Sequence, residues 1–170
     1  KNKGKYNSSF VKRVTQNITL KKLNTNKLYE SRVTNLASII AQKKHVRASL
    51  KKFQIDFLKK YKKVLIEGRD IQSKIMPNAD LKIFFQCSIR EKAKRRLKEF
   101  KSLNKNITLK QVEKALKLRD FNDRNRKESP LIFVKGAVLV DTTDLSKKQM
   151  ERKLIKLVSK AIKTKQYGNL

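Results

Sequence analysis

Apolar residues recur at three- and four-residue steps with lysines between them over Val33–Tyr61. This spacing predicts an amphipathic helix whose apolar stripe faces a core. The stripe consists of Val46, Leu50, Phe53, Phe57 and Tyr61. Earlier in the chain the pattern is weaker, favouring a helix over Ser8–Gln16 and a short strand over Ile18–Lys21 between Asn-rich turns.

Three short apolar runs predict buried strands: Val64–Ile66, Leu81–Phe85 and Ala137–Asp141. Their apolar residues are continuous rather than alternating, which is typical of parallel strands covered on both faces. Three helix-start signals, each a hydroxyl residue three positions before a Glu or Gln, occur after the second and third runs. They are Ser88/Glu91, Thr108/Gln111 and Ser146/Gln149. Alternating strands and helices predict an α/β protein with ligands at the carboxyl ends of its strands.

The charge is strongly unbalanced, with 45 Lys and Arg against 14 Asp and Glu and a formal net charge of +31. Such a balance favours polyanionic partners, either nucleic acid or phosphate-bearing small molecules. Because the lysines are spread along every segment, they indicate no particular groove. Arginines at fixed spacing are the better candidates for chemistry, since a guanidinium fork matches phosphate geometry.

The length of 170 residues and 38% apolar content fit one domain. The single cysteine, Cys87, excludes an intrachain disulfide and a cysteine-based metal cluster. The absence of an apolar run of about 18 residues argues against a membrane span, so we expect a cytoplasmic protein.

Two constellations carry candidate chemistry. Gly68-Arg69-Asp70 follows an apolar run, where an Arg can bind phosphate and an Asp can accept from a base amino group. Arg119, Asp120, Asp123 and Arg126 place two arginines two turns apart on one face if the helix persists. The alternatives, an ordinary ion pair at a strand end and a generic charged helix end, carry about equal weight for each motif alone.

Seven motifs occur in series between Val33 and Val158. They are Val33-x-Asn35-x-Ala37-Ser38, Val46-Arg47, Glu67-Gly68-Arg69-Asp70, Pro77-x-Ala79-Asp80-Leu81-Lys82-Ile83-Phe84, Glu91-x-Ala93-x-Arg95-Arg96, Arg119-Asp120-x-x-Asp123-x-x-Arg126-x-x-x-Pro130, and Asp141-Thr142-Thr143 with Leu145-Ser146. This order resembles the bacterial cytidylate kinases, relatives of adenylate kinase that move a phosphoryl group from ATP to CMP or dCMP.

The resemblance implies a role for each motif residue. Ser38, Arg47 and Asp70 would hold the cytosine edge, and Asp123 would take the ribose hydroxyls. Arg69, Arg119 and Arg126 would surround the monophosphate and the transferring phosphoryl group, where they would neutralise the charge that gathers there. Arg95 and Arg96 would belong to a lid that closes over ATP.

The resemblance also implies a P-loop kinase fold in one partial domain acting as a monomer. Its parts would be a monophosphate-binding segment and helix at 8–60, core strands at 63–86, a lid with flanking helices at 88–128, and the last strand and helix at 137–165. The family's first strand and its G-x-x-x-x-G-K-[ST] loop, which cradles ATP with Mg²⁺, have no counterpart, because the glycines stand only at 4, 68, 136 and 168. We therefore expect a truncated sequence with an incomplete sheet that is inactive by itself.

A second departure is Gln72-Ser73, where the family continues Gly-Thr after Arg-Asp-[Ile/Met].

Two other functions remain open. A basic RNA-binding protein, such as a ribosomal component, accounts for the charge, although the chain has no Trp and its Phe and Tyr lie mostly at core spacing. Another P-loop relative, such as a shikimate or adenylate kinase, is disfavoured by the cytosine-directed residues. We expect neither a specific nucleic-acid partner nor a protein-bound metal.

Overall fold

The computed structural model describes residues 7–23, 25, 28, 31–61, 63–102 and 106–167. The chain divides into two compact units, Lys1–Glu67 and Gly68–Leu170. Helices dominate both units, and the sheet of the second unit is small. None of the helices in the described ranges combines the length and the apolar character that a membrane span requires.

The described helices of the first unit are α1 (Ser8–Gln16), α2 (Leu20–Leu23), α3 (Ser31–Ile40) and α4 (Lys44–Lys59). Helix α1 begins where it was predicted, because Asn7 accepts the backbone N–H of Phe10 at 2.8 Å and so satisfies one of the free amides of the first turn. Helix α1 packs against α4 and buries Val11 and Val46.

Three sequence predictions for this unit were wrong. The strand expected over Ile18–Lys21 is absent, because Thr19 accepts the N–H of Lys22 and starts helix α2. The helical pattern within Val33–Tyr61 is divided between α3 and α4, with a turn at 41–43 where Lys43 is extended (φ −78°, ψ 125°). The run Val64–Ile66 is not a buried strand, since Leu65 is 95% exposed.

The described elements of the second unit are a π-helical turn (Ile71–Ile75), β1 (Ile83–Gln86), α5 (Ile89–Ser102), α6 (Leu109–Asn125), β2 (Val138–Asp141) and α7 (Lys147–Tyr167). Strands β1 and β2 are parallel, with Ile83 opposite Val138 and Gln86 opposite Asp141. The predicted runs thus form strands that begin one or two residues later than expected, and β1 continues to Gln86. A parallel α/β architecture is confirmed.

The small sheet is covered unevenly. Val140 is completely buried, whereas Phe85 is 52% exposed and Leu139 is 49% exposed. Phe85 and Leu139 lie in neighbouring cross-strand pairs and therefore point to opposite faces. The described helices cover the two faces only in part, rather than completely as expected.

The helices of the second unit begin at the predicted signals. Thr108 and Gln111 form a reciprocal capping box at α6. At α7, Ser146 and Gln149 exchange the same two bonds. Helices α5 and α6 pack together, and Ala93 of α5 is completely buried.

Candidate functional site

The turn that carries Arg69 is shaped by close packing at Gly68. A Cβ at position 68 would lie 2.8 Å from Cγ1 of Ile71, which is itself buried. Glycine therefore allows Ile71 to pack against the chain as it enters the π-helical turn. This packing fixes where the side chain of Arg69 leaves the turn.

Three arginines surround one carboxylate: Arg69 comes from the turn after Gly68, and Arg119 and Arg126 come from the end of α6 beside Asp123. The Arg69 Nε donates to Oδ2 of Asp123 at 2.7 Å across 54 residues. The Arg126 Nη1 lies 3.5 Å from Oδ1, and the Arg119 Nε lies 3.9 Å from Oδ2. We call Arg69, Arg119, Arg126 and Asp123 the arginine cluster. The structure thus brings together four residues that the sequence motifs predicted for phosphate and ribose.

The members of the arginine cluster differ in their exposure. The side chains of Asp123 and Arg126 are 16% and 15% exposed, whereas those of Arg69 and Arg119 are 42% and 58% exposed. The four members of the cluster, three guanidiniums and one carboxylate, sum to a charge of +2. Such a half-open, positively charged site suits a multiply charged anion better than a single carboxylate.

Arg126 is fixed by the loop that follows α6. The helix ends at Asn125, so Arg126 is the C-cap rather than part of a continuing helix, and its N–H donates to the carbonyl of Asn122. Its Nε donates to the carbonyl of Ser129 at 2.6 Å. The N–H of Leu131 then donates to the backbone carbonyl of Asp123 at 2.7 Å. The loop therefore folds back onto the end of α6 and holds Arg126 in place.

Asp70 and Gln72 lie beside the arginine-bearing turn. Asp70 is half-buried, and its backbone carbonyl accepts the N–H of Lys74 at 2.8 Å. The Nε2 of Gln72 donates to the carbonyl of Ile83 at 2.5 Å. Among the described residues its buried Oε1 has no hydrogen-bond partner. The side chain of Gln72 thus links the π-helical turn to β1.

Arg95 makes a dense set of bonds with the loop after β2. Its Nε donates to the carboxylate of Glu91 at 3.1 Å, and its Nη1 donates to the Thr142 hydroxyl at 3.3 Å. Its Nη2 reaches the carbonyls of Thr142, Thr143 and Leu145 at 2.7, 3.4 and 3.4 Å. We call this set the Arg95 clamp. The family resemblance that implied a lid role for Arg95 gave no sign of these backbone partners.

Arg96, the neighbour of Arg95, points to its own helix. Its Nη1 lies 2.6 Å from Oε2 of Glu99, and its guanidinium lies 4.7 Å from the ring centre of Phe100. The side chain is 40% exposed. The two arginines of the predicted lid therefore have different surroundings.

The predicted base-binding residues of the first unit are Ser38 and Arg47. The side chain of Ser38, in α3, lies outside the described residues. Arg47 is half-buried in the first turn of α4, and its Nη1 donates to the carbonyl of Ala41 at 3.2 Å. This bond ties Arg47 to the turn between α3 and α4.

The residues after β2 form a second polar turn. The Thr143 hydroxyl accepts the N–H of Ser88 at 2.9 Å, and the Thr143 N–H donates to Oδ1 of Asp141 at 2.8 Å. Hydrogen bonds from the Thr143 hydroxyl and then from its N–H lower the pKa of Asp141, with a smaller effect of Lys153. Asp141 is thereby held in its charged form at the carboxyl end of the sheet.

The family resemblance assigned the contacts to ATP with Mg²⁺ mostly to the G-x-x-x-x-G-K-[ST] loop rather than to residues of this sequence. Within the described ranges, no group of three His, Cys, Asp or Glu side chains is placed to hold a metal ion. Most of the donors of Arg95 are directed at the protein's own carbonyls.

Comparisons with known proteins agree with the motif order. The cytidylate kinase family profile matches residues 4–160. The cytidylate kinase of Pediococcus pentosaceus is 38% identical over 141 residues, which cover 83% of this chain and 62% of that protein. The cytidylate kinase of Mycoplasmoides gallisepticum is 41% identical over 131 residues, which cover 76% of this chain and 58% of that protein. The cytidylate kinase of Phytoplasma mali is 40% identical over 121 residues, which cover 71% of this chain and 52% of that protein.

The matched region spans about three fifths of the length of the first two of these relatives and about half of the third. The family match includes the arginine cluster, the Arg95 clamp and the turn after β2. The resemblance inferred from seven short motifs is thus confirmed by the profile over most of the sequence, and the chain belongs to the cytidylate kinase family.

Proposed function

We propose that the protein containing this chain is a nucleoside monophosphate kinase that phosphorylates CMP or dCMP with ATP. The bond between the γ-phosphorus and its bridging oxygen would break, and a bond to a phosphate oxygen of the acceptor would form, giving CDP or dCDP and ADP. The observation that carries this proposal is the convergence of Arg69, Arg119 and Arg126 on Asp123. Positioned positive charge is the principal requirement of phosphoryl transfer.

The arginine cluster would bind the phosphate of the acceptor nucleotide. Arg69 and Arg119 are the exposed members, so they can exchange their carboxylate partner for phosphate oxygens. A dianionic phosphate would bind them more strongly than one shared carboxylate does. Oδ2 of Asp123 would then be released to accept a hydrogen bond from a ribose hydroxyl.

The cytosine ring would be recognised by Ser38, Arg47 and Asp70, as the family motifs imply. Cytosine has an exocyclic amino donor beside acceptor atoms. A carboxylate at Asp70 can accept from the amino group, while a hydroxyl and a guanidinium can donate to the acceptors. This combination would favour cytosine over uracil, which has a carbonyl in place of the amino group.

The proposed roles of this chain are concentrated on the acceptor side. Arg96 stays a candidate for the nucleotide donor side, because its side chain is 40% exposed. Arg95 is better suited to holding the loop after β2 than to contacting ATP. Because free nucleotides are the substrates, we place the reaction in the cytoplasm, with the enzyme acting as a monomer.

Calorimetric titration of the 170-residue chain tests the acceptor site. We expect CMP to bind more tightly than cytidine, because only CMP engages the arginine cluster, and more tightly than UMP. The double variant Arg69→Ala/Arg119→Ala should lose much of this preference for CMP over cytidine. Arg152→Ala removes an exposed arginine of α7 and serves as the matched control, which should bind CMP normally.

Equal binding of CMP and cytidine by the unmodified chain would overturn the acceptor-site proposal. Phosphoryl transfer is tested separately with protein from the complete reading frame, by following CMP and MgATP with ³¹P NMR. Formation of CDP and ADP is the expected result. Hydrolysis of ATP without CDP would contradict the kinase proposal even if CMP bound.

A further inference from the structure

We propose that the left-handed backbone conformation of Ser129 is a positioning device that orients Arg126 for the acceptor phosphate. The inference deepens the function proposed above and rests on it. Ser129 lies outside the two constellations first predicted for chemistry, and its contribution is made by its carbonyl. Ser129 is therefore a positioning residue rather than a catalytic one.

The conformation of Ser129 is unusual. Its φ is 54°, and among the described residues other than glycine it alone has a positive φ. A Cβ disfavours this region for L-amino acids, and the following Pro130 further restricts the backbone of the residue before it. A conformation that costs free energy persists only where the surrounding contacts enforce it.

The enforcing contacts come from the return of the chain to α6. The chain leaves the helix at Arg126, which has extended dihedrals (φ −66°, ψ 140°). It returns within five residues, where the N–H of Leu131 donates to the Asp123 carbonyl at 2.7 Å. A left-handed residue inside so short a loop reverses the chain direction and turns its carbonyl toward the side chain of Arg126.

That carbonyl fixes the orientation of a guanidinium. The Arg126 Nε donates to the Ser129 carbonyl at 2.6 Å, and Nη1 lies 3.5 Å from Oδ1 of Asp123. Contacts at two different nitrogens restrict rotation of the planar group about the side-chain axis. The side chain is only 15% exposed, so it cannot relax freely into solvent. Arg126 is thus presented to a phosphate with its rotational freedom already reduced.

The test separates backbone conformation from side-chain chemistry. Ser129→Gly removes the hydroxyl but readily adopts positive φ, whereas Ser129→Val opposes it because Val is β-branched. Ser159→Val, at an exposed position of α7, is the matched control for the chemical change. Two readouts are needed: the solvent-exchange rate of the Arg126 Nε–H by NMR, and the Kd for CMP by calorimetry.

We expect Ser129→Gly and Ser159→Val to retain slow exchange of the Arg126 Nε–H and a Kd within about twofold of the original chain. Ser129→Val should accelerate this exchange and weaken CMP binding about tenfold, as loss of a charge-assisted hydrogen bond does. If Ser129→Val does not fold, Ser129→Thr and Ser129→Asn provide the same contrast, because Asn tolerates positive φ and Thr does not.

The positioning role would be overturned if the Arg126 Nε–H still exchanged slowly in Ser129→Val. It would also be overturned if Ser129→Gly accelerated this exchange as much as Ser129→Val does. The exchange readout does not depend on nucleotide. A chain that fails to bind CMP but loses Arg126 protection only in the Val or Thr variant would refute the proposed function while still showing that the backbone of Ser129 restrains Arg126. If CMP bound equally well to all these variants, the proposed function would stand and the positioning role of Ser129 would be refuted.

Discussion

The arginine cluster and the Arg95 clamp use the same side chain in opposite ways. In the arginine cluster, three guanidiniums share one carboxylate, and Arg69 and Arg119 remain about half exposed. In the Arg95 clamp, one guanidinium is matched by Glu91 and by the carbonyls of a single loop. The first arrangement places three guanidiniums around one carboxylate with two of them about half exposed, and in the second most of the donors bind the protein's own backbone carbonyls.

This difference shows that the presence of an arginine in a family motif does not by itself establish its functional role. Arg95 and Arg126 both lie in family motifs, and both bind backbone carbonyls. Arg126 binds one carbonyl together with a carboxylate shared by other arginines, so it belongs to a site that can accept an anion. Arg95 binds three carbonyls of one loop and joins helix α5 to the end of β2, so its effect should be on stability.

The substitution Arg126→Ala should have the largest effect, which is to weaken CMP binding. Loss of a fixed, largely buried guanidinium should raise the Kd for CMP about a hundredfold, equivalent to about 2.7 kcal/mol. Calorimetry measures this Kd, with Arg152→Ala as the control. A change of less than about threefold would contradict a phosphate-binding role for Arg126.

The next effect is on folding, through Arg95→Met. This substitution keeps much of the apolar volume but leaves the loop carbonyls without their donor, so the free energy of unfolding should fall by about 2 kcal/mol. The Kd for CMP should stay within about twofold. Urea unfolding followed by circular dichroism gives the stability. Unchanged stability with weakened nucleotide binding would reverse the roles assigned to the two regions.

A smaller effect is expected for the ion pair between α5 and α6. Lys92 Nζ lies 2.8 Å from Oδ2 of Asp120, and both side chains are about one-third exposed. A double-mutant cycle of Lys92→Met and Asp120→Asn should give a coupling energy of about 1 kcal/mol, because solvent screens part of the attraction. Coupling above about 3 kcal/mol would mean that the pair is far less screened than its exposure suggests.

The smallest effect is a pH dependence at Asp141. Its pKa is lowered in the folded protein, so its charged form stabilises the fold above the unfolded pKa, and that contribution is lost as pH falls through the folded pKa. The stability difference between the original chain and Asp141→Asn should therefore shrink below pH about 4. Carboxyl ¹³C titration measures the pKa directly. A value above the usual aspartate range would contradict the hydrogen-bond explanation.

Much of the second unit was predictable from local signals. The residues that start α6 and α7 satisfy free amides within their own first turns, so their effect does not depend on distant parts of the chain. The apolar runs at Leu81–Phe85 and Ala137–Asp141 correctly predicted parallel strands. The same reasoning failed at Val64–Ile66, because a short apolar run forms a strand only where a neighbouring strand supplies hydrogen bonds.

The sequence predicted the members of the candidate site better than their contacts. The motif order selected Arg69, Arg119, Arg126 and Asp123, which the structure brings together, although their binding roles stay predictions. The partners of Arg95 could not be foreseen, because backbone carbonyls carry no residue-specific signal. The same applies to Ser129, whose influence depends on a dihedral angle rather than on its hydroxyl.

The pairing of β1 with β2 also has a kinetic consequence. The two strands are about 55 residues apart, and closing that span costs about 1.5 kcal/mol more than closing a ten-residue loop. Helices α5 and α6 contain their own start signals and should form early, before this distant pairing. The bond from Arg69 to Asp123 spans 54 residues and must form late for the same reason. Affinity for a phosphate should therefore appear only in the last folding step, after most of the helical signal has already developed.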